Sequence, residues 1–457
     1  MTNRGLAGPV VCADFGSTFT KLAVVDPASG AILARAEHRT TVDTDVLDGF
    51  RAAAAELAAT LPNANLSDVL ACSSAGGGLR LAVVGYERVI SAEAGHRVAL
   101  SAGGRVVHVA AGWLDAAAVN GLRAAAPDVV LLVGGTDGGD ADVVLHNAAA
   151  LAAAGLGVPV VVAGNAAAAP DAGRLLHAAG VTAIRTANVL PEIGVLDPMP
   201  ARKAIREVFI GNVIGGKHLS AGPAFAAMVR AATPDAVLAG VEVLADVVGA
   251  GLVVVDIGGA TTDVYSVVVP DAEDAGLQRA AVEPLWRSRT VEGDLGMRWS
   301  APGVIDAALS ERLLAADASG PLRAAAAARA EDPGWLPGSS EEAAVELRLA
   351  TLAAMVALRR HARGRDLRQV ALVVGSGGVL RHAPAAESES VIAAVLDDRA
   401  GGWKRPQHAA LSVDRDYVLA AAGLLSFADP AAAARLLRAT AAAARATSTL
   451  TCPIGRP

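Results

Sequence analysis

The stretch Leu252 to Asp263 reads Leu-Val-Val-Val-Asp-Ile-Gly-Gly-Ala-Thr-Thr-Asp, and its residue types suit the handling of phosphate. The apolar run Leu252 to Val255 has the composition of a buried strand, and that strand delivers the carboxylate of Asp256 to a glycine turn. Gly258 and Gly259 are free to take positive φ and to let backbone N–H groups approach an anion, with the small Ala260 beside them. The hydroxyls of Thr261 and Thr262 supply donors for phosphate oxygens or metal-bound water, and Asp256 is placed to face a divalent cation or a water nucleophile. Val264 to Val269 resumes as a strand, so the stretch is predicted to be a hairpin holding phosphate in its turn.

The same grammar occurs earlier. Val10 to Ala13 leads into Asp14-Phe15-Gly16-Ser17-Thr18-Phe19-Thr20-Lys21, and Leu22 to Asp26 continues as a strand. Two hairpins of one design imply two related halves, with Asp14 and Asp256 facing each other across magnesium. Gly16, Ser17, Thr18 and Thr20 would serve the phosphates from the first half, as Gly258, Gly259, Ala260, Thr261 and Thr262 do from the second. Lys21 is either a phosphate ligand or a cross-strand surface lysine. A third turn, Gly375-Ser376-Gly377-Gly378, follows the apolar strand Val370 to Val374; Gly375, Gly377 and Gly378 lack side chains that would block a flat adenine or ribose.

The motifs resemble the actin, sugar kinase and Hsp70 ATPase superfamily. Within it, the chain resembles the accessory proteins of glutamate mutase (methylaspartate mutase), the GlmL/MutL family. That resemblance is carried by Asp14 to Lys21, Ala71-Cys-Ser-Ser-Ala-Gly-Gly-Gly-Leu-Arg80, Val133-Gly-Gly-Thr-Asp-Gly-Gly139, Pro191-Glu-Ile-Gly194, Val254 to Asp263 and Val291-Glu-Gly-Asp-Leu-Gly-Met-Arg298. It implies an α/β protein of two ribonuclease H-like domains with an inserted α/β subdomain, and ATP with Mg2+ in the cleft between the domains. It also implies a role as a chaperone-like ATPase that reactivates an adenosylcobalamin-dependent mutase by opening and closing. The expected division is residues 1–90 plus about 400–457 for the first domain, 91–206 for the insert, and 207–400 for the second domain with its linking helices. Gly293-Asp294-Leu295-Gly296 stands where Hsp70-like proteins carry a longer loop; Glu292 or Asp294 could orient water or magnesium there, or Asp294 could cap a helix. Other readings of the same cleft are a small-molecule kinase, an ATP-dependent hydrolase, or a filament-forming actin-like protein.

Stepping along the chain, helices are expected over Asp48–Leu61, Glu93–Ala102, Asp115–Ala126 and Val143–Ala154, alternating in the insert with strands over Val106–Val109, Val129–Val133 and Val158–Ala163. Such βαβ units put the loop Gly134 to Gly139 at the carboxyl end of a strand, as a structural or partner-docking loop. Gly76 to Gly78 is a phosphate turn or a tight connection, and Arg80 an anion ligand or a surface arginine. Thr233 is expected to cap a helix with Pro234 in its first turn. The basic helix end Arg359-Arg360-His361-Ala362-Arg363 favours its own dipole over nucleic acid, since no aromatics interleave.

Composition agrees. Across 457 residues the chain is 53% hydrophobic and 3% aromatic, with net charge −7, which gives no general attraction to nucleic acid or anionic membranes. The mean hydropathy of +0.43 comes from Ala-rich helices and buried strands, because each apolar run is broken before about 18 residues. Cys12, Cys72 and Cys452 are too scattered for a disulfide framework or a zinc site, and a cytoplasmic location without an export signal is expected.

Overall fold

A computed structural model of the chain describes residue 6 and residues 8–447, apart from 76–78, 89, 103, 214–218, 269–286, 364 and 399–401. The strands in chain order are β1 (Val10–Phe15), β2 (Phe19–Val25), β3 (Ile32–Arg39), β4 (Val69–Ser73), β5 (Leu79–Gly85), β6 (Gly104–Ala111), β7 (Val129–Leu132), β8 (Val160–Val162), β9 (Ala183–Arg185), β10 (Val229–Ala232), β11 (Leu252–Ile257), β12 (Thr262–Val267), β13 (Arg287–Glu292), β14 (Leu372–Ser376) and β15 (Ala410–Val413).

They form three five-stranded sheets, ordered β10-β4-β1-β2-β3, β13-β12-β11-β14-β15 and β6-β5-β7-β8-β9. The first two are copies of one plan. In each, a three-strand antiparallel meander (β1-β2-β3, β11-β12-β13) is extended by two parallel strands beside its first strand (β4 and β10, β14 and β15). This duplicated order is that of two ribonuclease H-like domains. The third sheet is wholly parallel and lies in the chain between β4 and β10, so it is the inserted α/β subdomain.

The topology moves the domain boundaries. The inserted sheet starts at β5, Leu79, ahead of the expected boundary at 91, and β10 at Val229–Ala232 belongs to the first sheet although it falls within the expected second domain. β15 joins the second sheet although it lies past residue 400. The Gly76–Gly78 turn, the turn near Pro270, Cys452 and the last ten residues of the chain lie outside the described residues.

Strand alternation sorts the core. Val11, Ala13 and Phe15 face the Val46–Thr60 helix through Leu47, Ala53 and Leu57, while Val253, Val255 and Ile257 face the Ser340–His361 helix through Leu349, Ala353 and Val356. The opposite faces, with Val10, Cys12, Leu252 and Val254, share one further core with the Thr233–Val248 and Val418–Ser426 helices. These two helices cross backbone to backbone: a Cβ on Gly423 would sit 1.7 Å from the Ala236 carbonyl oxygen, and one on Gly240 2.0 Å from that of Leu419. Only glycine fits either position. Both sheets therefore rest on one crossed helix pair.

The insert is tied to the same pair. Arg202 and Arg206 of the Met199–Val208 helix reach carboxylates of the Thr233–Val248 helix, with Arg202 at 2.9 Å from the half-buried Glu242 and Arg206 at 3.0 Å from the buried Asp235. Among the described residues no helix is long and apolar enough to cross a membrane.

Candidate functional site

The two hairpins close in the same way. Gly16 N–H donates to the Phe19 carbonyl at 3.1 Å, and Gly258 N–H donates to that of Thr261 at 2.9 Å. The tips are then Ser17-Thr18 and Gly259-Ala260, and they nearly touch: a Cβ on Gly259 would lie 3.1 Å from Thr18 Oγ1. Positive φ is not what these turns use, since Gly16, Gly258 and Gly259 are absent from the left-handed region. The missing side chains matter instead for space, because a Cβ on Gly258 would meet the Thr261 carbonyl at 2.8 Å.

Between the hairpins lies a cleft of about 940 Å3, lined from both domains and the insert. Asp14, Gly16, Ser17, Thr18 and Lys21 reach it from the first sheet, Asp256, Gly258, Gly259, Ala260 and Thr261 from the second, and Gly377 and Gly378 from the third turn. Gly377 has φ +107°, and a Cβ there would strike the Ile257 carbonyl at 2.2 Å, so this glycine lets the turn close against the end of β11. Four expected residues lie off the lining. Thr20 is fully buried and pairs with the Thr40 hydroxyl at 3.0 Å, and Thr262 donates to the Leu295 carbonyl. Gly375 sits inside β14, where a Cβ would meet Ile392 and Leu380 at 2.6 Å. Glu292 accepts from Arg360 at 2.8 Å, and the same guanidinium reaches Asp294 at 2.7 Å, so both carboxylates are engaged by the long helix.

Asp14 is 4% exposed and held by three donors: Thr233 Oγ1 at 2.6 Å, Tyr417 hydroxyl at 3.0 Å and Cys72 Sγ at 3.5 Å. Thr233 is therefore not a helix cap. It is the first residue of its helix, Ala232 takes the cap position, and the hydroxyl turns to Asp14. Tyr417 takes φ 52°, rare for a tyrosine, which places its ring under Lys21 Nζ at 3.7 Å from the centroid.

Asp256 has a different setting. Burial pushes its carboxyl up to about 7; Lys21 pulls it down, while Asp263, Asp14 and Asp414 push it further up. Asp263, directly across the strands from Asp256, is raised by burial and opposed by Arg289, whose Nη2 lies 3.1 Å from Asp263 Oδ1. Asp414 is raised to about 6 by burial even though it accepts from the Val418 and Leu419 N–H groups at the start of that helix. Thr18 Oγ1 is buried without a partner, an unmet donor in the cleft wall.

Arg298 also lines the cleft. Its N–H donates to the Gly259 carbonyl at 2.8 Å, and its Nη1 meets Glu346 at 2.6 Å, a carboxylate shared with buried Arg329. The Gly293 to Arg298 loop thus braces the second hairpin from behind. Arg80, by contrast, donates to the Ala125 and Ala126 carbonyls and serves a helix end. The Gly134–Gly139 loop is not part of the cleft lining. Asn165 and Asn188 hold it from within the insert, and Asp137 N–H donates to the Pro191 carbonyl at 2.9 Å, so two motifs of the family resemblance meet beyond the carboxyl end of β7.

Duplicated ribonuclease H-like domains, crossed helices beneath them and three strand-end turns around one cleft define a protein of the actin, sugar kinase and Hsp70 ATPase superfamily fold. The sequence matches the MutL protein family over residues 10–441 and is 36% identical over 450 residues to Protein MutL of Clostridium tetanomorphum, covering 93% of this chain and 97% of that protein. The chain belongs to the MutL protein family. Solved structures with the same span include component A of (R)-2-hydroxyglutaryl-CoA dehydratase from Acidaminococcus fermentans, at 8% identity and TM-score 0.31, covering 95% of this chain and 100% of that one. The activator of 2-hydroxyisocaproyl-CoA dehydratase from Clostridium difficile, with bound ADPNP, matches at 10% identity and TM-score 0.34, covering 97% and 99%. The fold assignment rests on the sheet order.

Proposed function

We propose that this protein is an ATP-binding, chaperone-like accessory factor that reactivates an adenosylcobalamin-dependent carbon-skeleton mutase such as glutamate mutase. The observation that carries the nucleotide reading is the convergence of hairpin tips from two sheets, with the unmet Thr18 hydroxyl among them, on one cleft closed by the Gly377 turn. The MutL family membership supports the mutase as client.

The donor set fits magnesium. Among the described residues no group of three His, Cys, Asp or Glu side chains could hold a metal ion. A cation carried largely by water and phosphate needs only one or two carboxylates, and Asp14 and Asp256 supply one from each domain. When bound, it would neutralise phosphate charge. Asp14, fixed by Thr233 and Tyr417, orients the water around that ion, and Asp256 takes or holds a proton according to the charge brought beside it. The hairpin tips and Thr18 bind phosphate oxygens, and the Gly377–Gly378 turn borders the nucleoside.

ATP held by both hairpins favours a closed cleft, and its loss favours an open one, with the Gly240–Gly423 crossing as pivot. The buried Arg202 and Arg206 contacts to Asp235 and Glu242 carry the insert along with the helix that begins at Thr233. The deciding experiment follows visible absorbance while Mg-ATP is added to the protein and the cobalamin-loaded mutase encoded nearest to it, with Asp256→Ala as control. ATP-dependent release of cobalamin that vanishes in the variant is expected. No release despite measurable ATP binding would sink the reactivase reading and favour a small-molecule kinase or ATP-dependent hydrolase, for which the cleft's extension to Arg289 already speaks.

A further inference from the structure

We infer that the cleft contains a second binding position, separate from the hairpin tips, for a carboxylate or phosphoryl group held by Arg289. This rests on the reading that the hairpins hold a nucleotide.

Arg289 stands on β13, an edge strand, and is 3% exposed. Its guanidinium lies over the Tyr265 ring at 5.6 Å and gives Nη2 to Asp263. Among the described residues Nε and Nη1 are buried without a hydrogen-bond partner. Each stands next to Nη2 on one of the two bidentate sides of the guanidinium, so the side that Asp263 leaves open can meet two oxygens of a carboxylate or phosphate with that nitrogen and the second hydrogen of Nη2. A buried arginine with two of its three nitrogens unmet is unusual, since buried polar groups in folded proteins are nearly always paired. The residue nevertheless lines the cleft.

The surroundings agree with an anion. Arg289, Tyr265 and Val291 form the inner face of the second sheet at its edge, and Arg105 from the insert packs on Gly293 just beyond, its Nη2 3.4 Å from where a Cβ would be. Asp263 is the acid of this branch, and its carboxylate balances the Arg289 charge, while Arg105 brings a second guanidinium to this part of the lining. Thr233 and Pro234 at the head of the interdomain helix form the facing wall. The Arg289 nitrogens are closed to water in this conformation, so the oxyanion enters as the domains part and is gripped as they close. Its source is either phosphate from the nucleotide or a separate ligand that carries the same group.

The test is calorimetric titration of the full chain with inorganic phosphate and with succinate, in the absence of nucleotide, with Mg-ADP, and with Mg-AMPPNP. Wild-type protein is expected to bind at least one anion, and Arg289→Met to weaken it about tenfold or more. Arg289→Lys keeps the charge beside Asp263 but not the fork, and decides the matter if the methionine variant does not fold; a loss of about threefold is expected. Phosphate excluded by AMPPNP but not by ADP identifies the nucleotide as source, whereas an anion that binds alongside AMPPNP identifies a second ligand. Failure of both anions to bind wild-type protein in every state, or affinity unchanged by substitution of Arg289, overturns the proposal. Anion binding without any ADP binding would overturn the nucleotide reading instead and leave the Arg289 position standing.

Discussion

The two acid-led hairpins share backbone geometry and differ in what faces their acids. In the first, Asp14 is paired across the strands with Lys21; in the second, Asp256 is paired with Asp263. The first acid is locked by Thr233, Tyr417 and Cys72, while the second, half-buried in the cleft wall, sits among like charges and is pushed up to about 7. Duplication thus produced one carboxylate with a fixed hydrogen-bond shell and one held near neutrality by its surroundings. The division resembles that of an orienting group and a titrating group, which a symmetric pair would not give.

The comparison can be broken most severely at Asp263. Asp263→Asn leaves the buried Arg289 charge without its counter-ion and is expected to cost about 3–5 kcal/mol of stability in denaturant titrations. An unchanged midpoint would mean the second hairpin does not depend on that pair. Asp256→Asn should lower Mg-ATP turnover about 100- to 1,000-fold without comparable loss of fold. It also exposes a pH signature. Because the folded Asp256 carboxyl titrates near about 7 rather than its ordinary 3.8, its protonated form stabilises the nucleotide-free protein fully below about pH 4, and that contribution is lost as pH rises through about 7. Thermal melts of wild type should fall over this window more steeply than those of Asp256→Asn; parallel curves would count against a titrating Asp256.

Lys21→Met sharpens the contrast from the other side. It removes the cation that most draws the Asp256 proton off, so Mg-ATP binding at neutral pH should weaken about tenfold and its pH dependence should move upward. A weakening equal at all pH values would place Lys21 on phosphate alone. The smallest effect is expected from Thr18→Val, which deletes an unpartnered buried hydroxyl. ATP affinity should fall by about three- to tenfold, while the melting temperature of the nucleotide-free protein stays level or rises.

Much of this was legible along the chain, because the hairpins are local. A strand that ends in an acid, a glycine turn and a returning strand needs only consecutive residues, and β1-β2 and β11-β12 formed where Asp14 and Asp256 announced them. Three strands of the inserted parallel sheet were visible from alternating elements, whereas β5 and β9 were not, and the residues of β5 fell inside the expected first domain since a segment does not declare which sheet it joins. Glu292 and Gly375 had suitable types in suitable places, yet one meets Arg360 and the other fills a gap against Ile392.

What the sequence by itself determined is the pair of acid-led hairpins, the third glycine turn and the family they belong to, because each is written in neighbouring residues. The tertiary structure alone decided the partners of those acids. Thr233 lies 219 residues from Asp14 and Tyr417 lies 403 away, and Arg289 reaches Asp263 only through strand register. Side chains so far apart in sequence meet because two sheets pack on one crossed helix pair, and no local spacing encodes that meeting.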